Sequence, residues 1–235
     1  MPSVQDERGF NQGWEGSASL QVRQARRCAL IASRMEVAPG RNILEIGCGR
    51  GHMARELGRM TGMDVLGVDL SQQFIEEAER DGHDDNVTFR AVDFLEPGEL
   101  GDETFDYIVG NGILHHLYLA IDASLTRMRT MLRPGGRLIF LEPNLHNPYV
   151  YLIFSSPALR RRAKLEPTEM AFTRAFIAKR LRRAGFTGVE VQYRDFLVPG
   201  VPLSLVRPLT SFGSVAEQVP VVKHLAQSLF ISAAR

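Results

Sequence analysis

Apolar positions in this 235-residue chain follow two alternating rhythms. Short runs that are almost wholly apolar end in glycine or aspartate. Between them lie stretches with apolar residues every three or four positions. The first rhythm predicts strands covered on both faces, and the second predicts amphipathic helices. Residues 42–46 read as the first strand and 52–60 as the helix after it. Residues 64–69 give a second strand. Residues 72–80 give a second helix, with Ser71 as its cap and Glu76, Glu77 and Glu79 toward solvent. A third strand is expected at 87–92, a fourth at 105–109 and a helix at 120–132. Pro134-Gly135-Gly136 makes the turn into a fifth strand at 137–141. Strands separated by helices imply crossover connections, hence an α/β fold with a mostly parallel sheet and helices on both faces.

The flanks are less regular. Residues 1–40 predict a polar lead and then a helical cap, started by Ser17 or Ser19 and stopped by Pro39-Gly40. Its apolar stripe is Leu20, Ala25, Ala29, Ile31 and Ala32. Phe10 and Trp14 stand out in the polar lead, as staples onto the body or as a cover for a ligand. Residues 143–169 hold Pro143, Pro148, Pro157 and Pro167 without a clear period, so an irregular insertion or a set of short helices is expected. A helix follows at 173–184 and a strand at 189–196. Residues 198–224 are again proline-rich and apolar, and 228–233 close as a strand. The division is a cap at 1–40 and one catalytic-sized domain at 41–235.

Composition narrows the function classes. With 44% hydrophobic and 23% charged residues the chain is an ordinary globular one, which excludes wholesale disorder. Its 28 basic and 27 acidic residues give a net charge of +1, so no global attraction to nucleic acid or an anionic membrane is expected, only local patches. Cys28 and Cys48 make neither a disulfide framework nor a four-thiolate zinc site, and a reducing cytoplasmic setting is the default. The opening MPSVQDERGF lacks the layout of a signal peptide. Apolar runs such as 149–154 fall far short of the ~20 residues that span a bilayer.

The strongest chemical signal is Leu44-Glu45-Ile46-Gly47-Cys48-Gly49-Arg50-Gly51, between a strand and a helix. Glycines there let the backbone turn sharply and approach a ligand closely. A dinucleotide loop places its third glycine five residues after the first, with pyrophosphate on the helix N-terminus. Here that position is His52, and the third glycine comes one residue earlier. The spacing suits a nucleoside without phosphate better than NAD. Asp69 ends the second strand, where a carboxylate can accept both hydroxyls of a ribose. Asp93 follows the third strand beside Phe94, which suits an adenine amine and ring. Three such features at successive strand ends reinforce one another.

On these residues the chain resembles the class I S-adenosylmethionine-dependent methyltransferases, of the small-molecule, type 11/12-like kind. The matching stretches are LEIGCGRG (44–51), GVDLS (67–71), AVDF (91–94), FDYIVGNGILHHL (105–117) and LRPGGRLIFLEPN (132–144). The resemblance implies a Rossmann-like, seven-stranded sheet whose last strand is antiparallel beside the fifth. It implies S-adenosyl-L-methionine as cofactor and S-adenosyl-L-homocysteine as product. Gly47, Cys48, Gly49 and Gly51 would lie under the methionine part, and Glu45 would fix the loop and the cofactor amine. Asp69 would hold the ribose, Leu70 would pack on adenine, and Asp93 with Phe94 would position the base. Asn111 would sit near the methionine portion.

Methyl transfer from a sulfonium is an in-line displacement, so alignment and exclusion of water matter most. A base is needed only for a hydroxyl or ammonium acceptor. His116 and His146 are the catalytic candidates, His116 because it starts the helix beside the methyl site. His115 could equally pack or cap. Glu142 is either a base or a loop holder. His52, His83 and His224 look peripheral. No metal is expected, because no ligand-spaced histidine or carboxylate cluster is visible. Apolar residues at 143–169 and 198–224, among them Tyr149, Tyr151, Phe154, Phe196, Leu197, Leu203 and Leu205, either wall a lipid-like acceptor pocket or pack the C-terminal lobe.

The basic run from Arg160 to Arg183 is a solvated helix face, a phosphate or membrane contact, or an RNA contact. Base-amine methylation is disfavoured, since Asn111-Gly112-Ile113-Leu114 lacks the Asn/Asp-Pro-Pro-aromatic motif. The expected activity is methylation of a small, apolar or lipid-like acceptor, on oxygen in preference to nitrogen or carbon. Its rivals are a non-catalytic nucleoside-binding partner, an RNA methyltransferase and an NAD-dependent oxidoreductase.

Overall fold

The computed structural model describes residues 18–235 apart from His83, Pro97 and residues 198–200. Phe10, Trp14, Ser17 and His83 therefore lie outside the described residues. The elements are, in order, α1 (Ala18–Ala32), β1 (Asn42–Ile46), α2 (His52–Thr61), β2 (Asp64–Asp69), α3 (Gln72–Arg80) and β3 (Val87–Ala91). They continue with β4 (Phe105–Asn111), α4 (Ile121–Met131), β5 (Leu132–Pro143), α5 (Pro148–Ser155) and α6 (Pro157–Arg162). The chain closes with α7 (Arg174–Arg183), β6 (Thr187–Arg194), α8 (Leu203–Ala216) and β7 (Ser228–Ala234).

The strands form one sheet in the order β3-β2-β1-β4-β5-β7-β6. The pairs β1–β2, β1–β4, β2–β3 and β4–β5 are parallel, and β7 runs antiparallel between β5 and β6. This is the expected Rossmann-like sheet. Strand side chains alternate between two apolar layers. Ile43, Val65, Tyr107, Val109 and Ile139 enter one core, and Leu44, Ile46, Leu66, Val68 and Ile108 enter the other. Each fully buried large aliphatic there contributes about 1.5–3 kcal/mol. Successive connections leave β1 in opposite directions, so a crevice opens at the carboxyl ends of β1 and β4, where open α/β sheets take ligands. No described helix is long and apolar enough to cross a membrane.

The structure departs from the sequence pattern in four places. In α1, Ala25 and Ala29 face solvent, whereas Cys28 and Ile31 are buried. The helix turns that way because Arg23 and Arg27 share its inward side. Their guanidinium Nε atoms each donate to Asp195 Oδ2 at 3.0 Å. Arg27 also donates to Asn111 Oδ1 at 2.6 Å and Ser228 Oγ at 2.9 Å, and Arg23 donates to Gln227 Oε1 at 3.1 Å. β5 begins at Leu132, upstream of the expected start, because Leu132 pairs with Phe105 before the glycine turn. β6 lies two residues earlier than expected, held by its pairing from Thr187 and Arg194 to β7. Residues 203–216 are helical; Val206, Gly213 and Ala216 are buried at helical spacing, which Pro208 disguises.

Candidate functional site

The glycine loop is fastened to β2 by two hydrogen bonds. Gly47 and Cys48 N–H groups donate to Val68 O at 2.8 and 3.0 Å. Gly47 and Gly51 adopt left-handed φ of 69° and 74°. A Cβ on Gly47 would meet Ile113 at 2.6 Å, and one on Gly51 would overlap the Phe89 ring. These two glycines are required by close packing. Gly49 shares the left-handed backbone, with φ of 50°, but a Cβ there would meet nothing within 4 Å among the described residues, so this point of the loop faces open space.

Carboxylates surround the loop. Asp69 Oδ2 accepts the Gly49 N–H at 2.9 Å, and Oδ1 accepts the Ser71 N–H at 2.9 Å. Burial pushes its pKa up, against the backbone hydrogen bonds and the nearby His116 charge. Glu45 is only 3% exposed. Burial, and then the Asp69 charge, push its pKa well above the carboxylate range, although the Ala54 N–H opposes them. Its Oε2 has no hydrogen-bond partner among the described residues. Burial also pushes the Cys48 thiol up, which keeps it neutral and unreactive. Leu70 stands half exposed next to Asp69. Asp93 Oδ1 accepts the Leu95 N–H at 2.9 Å, forming a local turn. The Phe94 ring is buried in the core around Leu114 and Leu125, so this residue bears on the site through its backbone turn, not through a free ring face. Asn111 is engaged by Arg27 from α1.

The histidines separate clearly. His115 is buried with Nδ1 2.9 Å from Glu142 Oε2. Glu142 also accepts the N–H groups of Ile113, Leu114 and His115 at 2.7–3.2 Å. Both of its oxygens are occupied in holding the segment after β4, so Glu142 is a loop holder. His116 Nδ1 lies 3.0 Å from Glu169 Oε1, with the histidine side chain 25% exposed and the glutamate 3%. Burial pulls the His116 pKa down, but the hydrogen bond and charge of Glu169, with Glu142 and Glu166, outweigh it and leave it raised. Glu169 is lowered: its His116 hydrogen bond and the two histidine charges overcome burial.

His146 is exposed and outside this group. Its Nδ1 lies 3.4 Å from Tyr193 Oη, and its ring stacks with Tyr193 and His224. His52 opens α2 on the exposed surface.

Glu169 was not singled out from sequence, where it read only as a counter-charge in the basic run. Together His115, His116 and Glu169 place metal-ligand atoms within 4.8 Å of one another, a grouping that sequence spacing did not reveal. The residues expected to wall a pocket divide: Phe154, Leu197 and Val206 are buried, whereas Tyr149, Tyr151, Leu203 and Leu205 face outward. A separate cleft of about 550 Å³, lined by Val22, Arg26, Leu203, Val206, Arg207 and Thr210, lies between α1 and α8 and shares no residue with the loop.

Residues 43–136 match the family model described as a methyltransferase domain. A sterol 24-C-methyltransferase from Yarrowia lipolytica is 29% identical over 54% of this chain and 34% of its own length. An O-methyltransferase from Penicillium expansum is 26% identical over 85% of this chain and 71% of its own length. A ubiquinone biosynthesis O-methyltransferase from Sinorhizobium fredii is 37% identical over 41% of this chain and 39% of its own length. The chain thus spans about a third of the first and two fifths of the third. Among solved structures, a SAM-dependent methyltransferase from Archaeoglobus fulgidus shares the fold, with a TM-score of 0.65 at 19% identity over 96% of this chain and 98% of the other.

Proposed function

We propose that this chain, which matches a methyltransferase domain over residues 43–136 and shares the fold of a SAM-dependent methyltransferase, is a class I S-adenosylmethionine-dependent methyltransferase that methylates a small organic acceptor of apolar, lipid-like character, on oxygen in preference to nitrogen or carbon. One observation carries the reading: Gly49 opens onto free space among the described residues, bonded to the part-buried Asp69 and close to the buried Glu45, which has an unpartnered oxygen. A cationic amino-acid nucleoside fits that environment, since a positive charge offsets the burial that raises both acids. A phosphate would add to the negative charge there.

In this reading Gly47, Cys48, Gly49 and Gly51 form the floor under the amino-acid end, and Glu45 takes its ammonium. Asp69 turns its remaining lone pairs to the ribose diol, and Leu70 covers one face of the base. Asp93 and the Phe94 turn close the far side. Asn111 orients the amino-acid end through the contact that also anchors α1. The bound cofactor supplies a methyl group already activated by its sulfonium charge. The protein's tasks are alignment and exclusion of water, and such positioning can account for ~7–11 kcal/mol of a barrier. His116 is the base that takes the acceptor proton, and Glu169 holds its ring and raises its basicity. His146, turned outward, packs instead. The apolar acceptor draws support from the apolar segments around the site and from relatives named for sterol and ubiquinone chemistry.

Calorimetric titration with S-adenosylhomocysteine beside NADH tests the cofactor. Binding of the first and not the second is expected, and the reverse overturns the reading. Transfer of labelled methyl into organic-extractable products, across sterols, quinols and polar alcohols, tests the acceptor class. Label confined to polar products refutes it.

A further inference from the structure

We propose that the outward side of α5 and the basic end of α6 together form a docking surface for an anionic lipid bilayer. The helix α5, Pro148–Ser155, carries no charged residue. One side faces the protein: Phe154 is buried, and its ring meets His115 edge-on at 6.1 Å. The other side faces solvent yet is also apolar, with Tyr149, Tyr151 and Leu152 exposed by 49%, 54% and 56%. A helix apolar all round belongs in a core or against a membrane. The phenol rings have amphipathic bodies that suit the headgroup level.

The cations next to this face are sorted in two. Arg160 turns inward and donates to Phe154 O at 3.1 Å, Glu166 O at 2.6 Å and Glu169 O at 3.0 Å. It binds α6 onto α5. Arg161, Arg162 and Lys164 stay exposed, and none has an acidic partner among the described residues. Lys164 holds a left-handed φ of 55° at the end of α6, a position that favours glycine. Exposed tyrosine and leucine beside unpaired arginine and lysine match an interfacial helix on anionic lipid.

Lipid fits better than the other occupants. Single-stranded nucleic acid is held by aromatics interleaved with cations along a groove. Here the aromatics lie on α5 and the free cations at the far end of α6. Two-fold pairing of the same surface would place two sets of unpaired cations in one interface.

The inner side of α5 touches His115, so docking would set the site at the lipid surface and let an apolar acceptor enter without crossing water. That purpose rests on the lipid-like acceptor reading, but vesicle binding is read without turnover. The experiment is co-sedimentation of the full chain with phosphatidylcholine vesicles, with and without phosphatidylglycerol. Binding to the anionic vesicles, weakened by salt, is expected. Arg161→Glu with Arg162→Glu should lower it by about tenfold or more. Tyr149→Ser, Tyr151→Ser and Leu152→Ser together should abolish it. Phe212→Ser with Val215→Ser on α8, also at exposed apolar positions, should leave it unchanged.

S-adenosylhomocysteine binding should survive in every variant. No vesicle binding by the parent chain, or equal binding to neutral vesicles, overturns the proposal. So does equal loss in the α8 variant, and so does a dimer in light scattering that the triple serine variant dissociates. Normal S-adenosylhomocysteine binding without vesicle binding overturns only the docking. Vesicle binding without S-adenosylhomocysteine binding overturns only the cofactor reading.

Discussion

Replacing Asp69 with asparagine separates the loop tether that the carboxylate makes from the ribose contact proposed for it. In the structure it accepts backbone N–H groups from both Gly49 and Ser71. An alanine would remove the proposed ribose contact and the loop tether together. Asparagine keeps the volume and one acceptor oxygen, so one tether survives and the other N–H faces an amide NH2. That tether loss weakens every ligand of the loop alike. The ribose term differs, because each hydroxyl bonded to an ionised acceptor is worth about 1.5–3 kcal/mol. Two such bonds, once lost, amount to about 3 kcal/mol or more, a hundredfold or greater change in Kd. The assay is calorimetry with S-adenosylhomocysteine and its dideoxyribose analogue on both proteins, a complete cycle. The parent protein should discriminate strongly between the two ligands and the variant should hardly do so. Because burial raises the Asp69 pKa, parent binding of the natural ribose should also weaken on acidification sooner than for an ordinary carboxylate. Equal losses for both ligands would reduce Asp69 to a loop tether and refute the ribose assignment.

Three further outcomes are expected. Gly49→Val should abolish S-adenosylhomocysteine binding, both by putting a side chain into open space and by straining a backbone held at a left-handed φ of 50°; a variant that folds and still binds tightly removes the loop assignment. Glu45→Gln should raise the melting temperature of the unliganded protein near neutral pH while weakening ligand binding. A carboxyl whose folded pKa is raised stabilises the fold only at acid pH, so the gain should fade on acidification through that pKa; a melting temperature lowered at every pH contradicts this. Glu169→Gln should shift the rising limb of the pH–rate profile toward acid, because burial is then opposed only by the smaller contributions of Glu142 and Glu166. His116→Ala should lower turnover by about 10²–10⁴-fold. An unmoved limb in the glutamine variant would show that His116 is not the base.

What was legible in the sequence was whatever is local in the chain. The glycines and Glu45 sit within one strand and turn, and Asp69 and Asp93 announce themselves at strand ends. The alternation of strands and helices followed from apolar runs separated by helical periods, whereas the place of the last strand came from the family resemblance. What escaped notice depends on partners far apart. Glu142 closes on residues up to 29 positions away, and nothing near it in sequence says that both oxygens are taken. Glu169 meets His116 only because Arg160 folds residues 157–169 back against α5. The inward side of α1 was misread because two arginines stand where apolar residues were sought, and only Asp195 makes that burial tolerable. The Phe94 ring looked like a base platform by its neighbour Asp93. The turn after β3 sends it to the core instead.

The knot around Asp195 has a meaning for the order in which the protein is made. Arg27 leaves the ribosome 168 residues before Asp195. At about 5–20 residues per second that is an interval of roughly 10–30 s. Throughout it, Arg23 and Arg27 repel each other, and Arg27 has no carboxylate with which to clamp Asn111. The Arg23 pKa is held down to about 10, first by burial and then by its arginine neighbour, which records that repulsion even in the finished fold. The nascent sheet can therefore form from β1 to β5 while α1 stays unlatched and the crevice open. Latching waits for residues 195–228, so α1 is fastened late in synthesis, by the Asp195 carboxylate together with Gln227 and Ser228.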